Sequence, residues 1–249
     1  MLIDTLTDLG LMLLSITLLY LSLLSYARRR QPHWHRSLQE LRAVIVLVLT
    51  LVIVAIRVSK AVLGGHTSEL DIALLEFVHQ HSSTAAINAF EWITLTGSSR
   101  FLTPFGVILT TALLLARQYR EALLLPLSMI SAALLVYTIK LTVARERPAL
   151  WDTDWYWGYS FPSGHTMGAA ACATALALCA AQLWPASRRY ALCLAGLWIS
   201  LVAASRLVLG VHWPTDVLVA ACLGVVLPIL IRLTAGIVSP ATAGSRKLG

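Results

Sequence analysis

Lys140, Arg147, His165, Arg206 and His212 stand in or beside long apolar runs, where a charged or titratable side chain is costly and is usually retained for function. Arg147 is followed by Pro148, and His165 closes the segment Phe161-Pro162-Ser163-Gly164-His165. That segment reads as a helix start. Ser163 can cap it, Gly164 lets a ligand approach the backbone, and first-turn N–H groups attract phosphate. Lysine and arginine add charge-assisted hydrogen bonds to phosphoryl oxygens, arginine through two prongs. In His212-Trp213-Pro214-Thr215-Asp216 the histidine and the carboxylate share a helix face, or lie close if helicity starts at Pro214. A carboxylate that holds one imidazole nitrogen leaves the other able to attack, and His165 can then protonate a leaving alkoxide. The chemistry that fits is nucleophilic attack on a phosphoryl group.

To act together these residues must be carried to one place, and the composition says by what. The chain has 249 residues, 58% hydrophobic and 12% charged, with a mean hydropathy of +0.77. A soluble domain carries about 25% charged residues, so a water-soluble fold is disfavoured. Seven apolar runs are long enough for membrane helices, near 9–26, 43–63, 101–117, 122–142, 164–184, 189–209 and 215–236. The first is read as a retained span, because Arg28-Arg29-Arg30 follows its apolar run instead of preceding it. The net charge of +7 would suit nucleic acid if it were scattered. It is segregated instead. With the 27–42 loop cytoplasmic, twelve of the nineteen Lys and Arg but only two of the twelve acids fall on that side. The N-terminus is then outside, the C-terminus inside, and the long 64–100 and 143–163 loops outside. Lys140, Arg147, His165, Arg206 and His212 all come to that outer face. Nucleic acid is not needed to explain the cations, and the bilayer is the implied partner.

Lys140-x(6)-Arg147-Pro148, Pro162-Ser163-Gly164-His165 and Ser205-Arg206-x(5)-His212-x(3)-Asp216 together resemble the three-part signature of the type 2 phosphatidic acid phosphatase superfamily. That family includes integral membrane lipid phosphate phosphatases, soluble bacterial acid phosphatases and vanadium haloperoxidases. Every signature position is matched. The resemblance covers about residues 43–236 and implies an all-α polytopic membrane bundle, a six-helix core with one added N-terminal transmembrane helix. It implies that His212 forms a phosphohistidine oriented by Asp216, that His165 is general acid and then base, and that Lys140, Arg147, Ser163, Gly164 and Arg206 bind the phosphate. No metal or other cofactor is implied, and no carboxylate or Cys/His cluster is spaced to hold one.

The expected division is 1–42, an N-terminal helix and basic loop; 43–236, the membrane core with 64–100 as an amphipathic interfacial segment; and 237–249, a short cytoplasmic tail. Cys172, Cys179, Cys193 and Cys222 read as apolar packing residues. Arg145 and Glu146 read as solvated loop charges ahead of a role in tuning the phosphate site, Arg57 and Lys60 as snorkelling anchors ahead of a substrate role, and His79 and His81 as interface residues. Trp151, Trp155, Tyr156, Trp157 and Tyr159 read as an aromatic belt, with a lid that guides lipid tails as the alternative, and Trp213 as packing for a helix start. The whole points to a bacterial inner-membrane enzyme that hydrolyses a lipid phosphomonoester or diphosphate at the outer face. By family analogy, undecaprenyl diphosphate and phosphatidylglycerol phosphate are favoured over phosphatidic acid and lipid A. The rival readings are a lipid phosphotransferase using the same histidine, a non-catalytic scaffold or transporter, and, remotely, a peroxidase.

Overall fold

The computed structural model describes residues 2–30, 39–151 and 158–238, and among them every regular element is helical. The elements are α1 (Leu2–Arg30), α2 (Arg42–Leu63), α3 (Ser68–His81), α4 (Thr84–Leu95), α5 (Ser99–Leu115), α6 (Tyr119–Val143), α7 (Gly164–Leu183), α8 (Arg188–Val208) and α9 (Pro214–Val238), with a 3-10 turn at Pro185–Ser187. The chain divides into two units, Met1–Lys60 and Ala61–Gly249. In the first, α1 turns Leu11, Leu13, Leu14, Leu18 and Leu21 outward, the all-round apolarity of a helix whose solvent is lipid. The expected 237–249 tail begins inside α9, and its residues from 239 on lie outside the described chain.

Among the described residues six helices are long and apolar enough to cross a membrane: α1, α2, α6, α7, α8 with its preceding turn, and α9. The expected seventh span at 101–117 is α5, which has only 17 residues. It qualifies only together with α4, as a pair bent by 44°. Residues 64–100 also differ from the single amphipathic element expected. Serines break them up: the Ser83 side chain accepts the Ala86 N–H at 3.2 Å and the Ser98 side chain accepts the Phe101 N–H at 3.3 Å, each starting a new helix. Nor do the acids of α3 all face outward, since Asp71 is fully buried beside Leu75.

Helix α7 is the hub of the second unit and packs against α6, α8 and α9. Its apolar stretch is 61% buried, against 28% for α6 and 22% for α8. The reason lies in its composition. Ala169, Ala170, Ala171, Cys172, Ala173 and Ala175 present little more than methyl groups, so neighbouring backbones come close. Gly224 of α9 exploits this, for a Cβ there would lie 2.6 Å from Ala170 Cβ and 2.7 Å from the Met167 carbonyl oxygen. Cys172, Cys179 and Cys222 are buried packing residues as expected, whereas Cys193 is exposed on α8. The α7–α9 packing brings the start of α7 beside the start of α9: the Ser163 N–H donates to the Asp216 carbonyl at 3.2 Å.

Candidate active site

Lys140 sits in the last turn of α6, which ends where Ala144 takes a left-handed conformation (φ 50°). Its ammonium donates to the Tyr159 carbonyl. Beyond Ala144 the chain is pinned to the approach to α7. The Ser160 N–H donates to the Arg145 carbonyl at 2.8 Å and its hydroxyl to the Glu146 carbonyl at 2.9 Å. Arg147 is thereby held over the site, its Nε on the Gly158 carbonyl at 2.9 Å and one terminal nitrogen on the Val211 carbonyl at 2.7 Å. That terminal nitrogen also lies 3.2 Å from His212 Nε2. An arginine can only donate, so Nε2 is the acceptor nitrogen and carries the lone pair. The proton of a neutral His212 is then on Nδ1, 3.5 Å from Asp216 Oδ2.

That separation is longer than the orienting hydrogen bond the sequence suggests, and Nδ1 has no hydrogen-bond partner. The cause is that the Asp216 carboxylate is already committed. Helix α9 starts at Pro214, so His212 precedes it. Asp216 is its third residue and reaches back to accept the Trp213 N–H at 3.0 Å, half of a capping box. Its other oxygen accepts from Arg145 at 2.6 Å.

His212 is buried, and burial pushes its imidazole well below the usual histidine pKa, with Arg206, Arg147 and Lys140 acting in the same direction. It is therefore neutral at pH 7 with its lone pair on Nε2. His165, in the first turn of α7, lies within electrostatic reach of the same three cations and of His212. Arg206, in the last turn of α8 and almost fully buried, donates to the Thr94 hydroxyl at 2.5 Å. Ser163 precedes α7 without capping it, contrary to expectation. Its buried hydroxyl instead accepts from Thr166 at 3.1 Å. Uncapped first-turn N–H groups at Gly164 and His165 are the kind that receive an anion. Lys140, Arg147, His165, Arg206 and His212 are thus brought together, and Ser163, Gly164 and Asp216 join them.

Three residues do more than their sequence context suggests. Arg145 is not a solvated loop charge: it bridges Asp216 and, at 2.6 Å, Asp71 of α3, and lies over the Trp213 ring at 5.4 Å. Two carboxylates drawing on one guanidinium hold it in place. Asp71 also accepts the Thr215 N–H at 3.0 Å and its hydroxyl at 2.7 Å. Its sequence signal is slight, an acid in i, i+4 register with the buried Leu75. Trp151 is more than a belt residue: it stacks on His79 at 3.9 Å and presses on Gly210, where the backbone has φ +65° and a Cβ would meet the indole at 2.6 Å. Trp155, Tyr156 and Trp157 lie outside the described residues. Among the described residues no three His, Cys, Asp or Glu side chains converge as metal ligands.

From Lys140 and His165 a cavity of about 760 Å³ runs between α5, α6 and α7. Along α6 it follows Tyr137, Val136, Ala133, Ile130, Met129 and Pro126, roughly 20 Å of helix axis. Its lining is apolar except at the cationic end and for a few threonine and serine hydroxyls of α5.

The PAP2 superfamily pattern matches residues 121–236. Phosphatidylglycerophosphatase B of Bacillus subtilis is 34% identical over 143 residues, 56% of this chain and 70% of that protein. The chain belongs to the PAP2 superfamily. Phosphatidylglycerophosphatase B of Escherichia coli is 46% identical over 63 residues, so the match spans only about a quarter of its length (24%). The fold agrees with the crystal structure of a transmembrane PAP2-type phosphatidylglycerolphosphate phosphatase from Bacillus subtilis, with a TM-score of 0.69 at 27% identity, covering 79% of this chain and 97% of that one. Aquifex aeolicus LpxE gives a TM-score of 0.54 at 25% identity, covering 66% and 95%. A polytopic, all-helical membrane protein of the PAP2 superfamily is thus established.

Proposed function

We propose that the protein is a membrane lipid phosphatase working through a phosphohistidine at His212. The observation that carries this is the junction of two unlike surfaces. Lys140 and His165 line both the cationic cluster and one end of the apolar cavity, so a molecule filling both has an anionic head and a long apolar tail. Neutral His212 offers Nε2 to phosphorus. Arg147, Arg206, Lys140 and the first-turn N–H groups of α7 take the phosphoryl oxygens, and the contact from Arg147 to Nε2 passes to the incoming phosphate. As the N–P bond forms, the bond from phosphorus to the lipid oxygen breaks, and His165, having taken a proton from the bound monoanionic phosphate ester, gives that oxygen the proton. His165 then accepts a proton from water, whose oxygen attacks phosphorus; the N–P bond breaks and phosphate leaves. Asp216 lies beside Nδ1 to stabilise the positive charge that the ring acquires.

Phosphatidylglycerol phosphate is the favoured substrate, because the similar proteins that carry a substrate name are named for it. Undecaprenyl diphosphate follows. The site faces the exterior of a bacterial inner membrane, as the cation asymmetry implies. Purified protein in detergent is expected to release phosphate from phosphatidylglycerol phosphate without an acceptor lipid. Release only when an acceptor lipid is present would instead make it a phosphotransferase.

A further inference from the structure

We propose that Asp71 is a positioning residue for the reaction at His212, acting through Arg145 and Asp216; this rests on the phosphatase reading above. Asp71 belongs to none of the signature segments, yet its side chain is fully buried. A buried carboxylate is strongly unfavourable unless its oxygens are bonded. Asp71 meets that condition with one oxygen on the Thr215 N–H and the other on the Thr215 hydroxyl and Arg145. All three donors belong to, or hold, the helix start that carries Asp216.

The guanidinium of Arg145 is planar and rigid, so fixing one prong fixes the other. Asp71 takes one prong at 2.6 Å and Asp216 the other at 2.6 Å, with the Thr215 hydroxyl accepting from the second prong at 2.8 Å. Asp216 is held on its far oxygen by that prong and on its near oxygen by the Trp213 N–H. The near oxygen therefore faces His212 Nδ1 whether or not a bond forms there, and the imidazole meets a carboxylate already in place.

Charge supplies the second half of the argument. If Arg145 faced Asp216 alone, its full charge would neutralise the carboxylate meant to support a positively charged ring. Sharing the guanidinium with Asp71 leaves Asp216 more of its negative charge. A tie whose only task was to join α3 to α9 would not need a second carboxylate on the arginine that holds Asp216.

The test is a double-mutant cycle of Asp71→Asn and Asp216→Asn. It is read as kcat and KM for phosphate release from phosphatidylglycerol phosphate and p-nitrophenyl phosphate, alongside thermal unfolding in detergent. Asp71→Asn is expected to lower kcat about 10- to 100-fold, as small displacements in an active site do, with KM changed less than about threefold. Added to Asp216→Asn it should lower kcat by less than about twofold more, because its route is already cut. Wild-type kcat in Asp71→Asn, or losses that multiply in full, would overturn the proposal. Arg145→Lys, which keeps the charge but loses the fork, should show the same lack of additivity. If neither variant folds, the role of Asp71 is structural and the proposal fails. Wild-type protein that releases phosphate from no substrate would overturn the phosphatase reading and this proposal with it, whereas active wild type with multiplying losses removes this proposal alone.

Discussion

The bundle of α6, α7 and α9 buries charge at both ends, and the two ends do it differently. At one end Glu121 of α6 meets Arg232 of α9 at 3.1 Å, and Gln182 of α7 completes the set at 2.9 Å. One carboxylate faces one guanidinium there, with no histidine in the set. At the other end Arg145 is shared by Asp71 and Asp216, while Lys140, Arg147 and Arg206 all act on a buried, neutral His212. Buried ion pairs by themselves therefore do not mark function. What separates the ends is a titratable nucleophile among several cations beside a cavity that can take a tail. The first end should respond to substitution in stability, the second in turnover.

His212→Ala should give the largest loss, on the order of 10⁴-fold or more in kcat, because a nucleophile has no substitute. Activity near wild type in that variant would abolish the distinction between the ends. His165→Ala should cost about 10²- to 10⁴-fold on a lipid with a poor leaving group and much less on p-nitrophenyl phosphate, whose leaving group needs little proton assistance. Equal losses on both would remove the general-acid role. Ala133→Trp, which fills the middle of the cavity, should raise KM for phosphatidylglycerol phosphate about tenfold and leave p-nitrophenyl phosphate unaffected. Equal effects on both would mean that the cavity does not hold the tail. Arg232→Met, at the other end, should leave kcat within about twofold while lowering stability by about 1–3 kcal/mol, since Glu121 is left buried without its partner and Arg232 is partly exposed. A turnover loss as large as that of the site variants would show the two ends to be coupled.

The parts of this picture legible in sequence are those in which chemistry and position are encoded together over a few residues. Pro162 to His165 marks a helix start, Lys140 to Arg147 spans a helix end and the turn after it, and His212 to Asp216 spans another helix start. Length and apolarity placed α6, α7, α8 and α9 to within a few residues. Contacts between distant segments were not legible. Asp71 is 144 residues from Thr215, and Thr94 is 112 from Arg206, and no local periodicity records such a pairing. The capping role of Ser163 failed for a local reason instead: Thr166, three residues on, engages its hydroxyl within a buried helix start. The split at Ser83 was written in the sequence as a capping serine, but it was overshadowed by the amphipathic pattern on either side.

The central claim, covalent catalysis at His212, is tested most directly by acid-free quenching of a turnover mixture containing phosphatidylglycerol phosphate labelled in its terminal phosphate, followed by peptide mapping. The expected result is an acid-labile label on the peptide carrying His212, absent from His212→Ala. A label on any other residue, or none while phosphate is released in a burst-free single step, would contradict it.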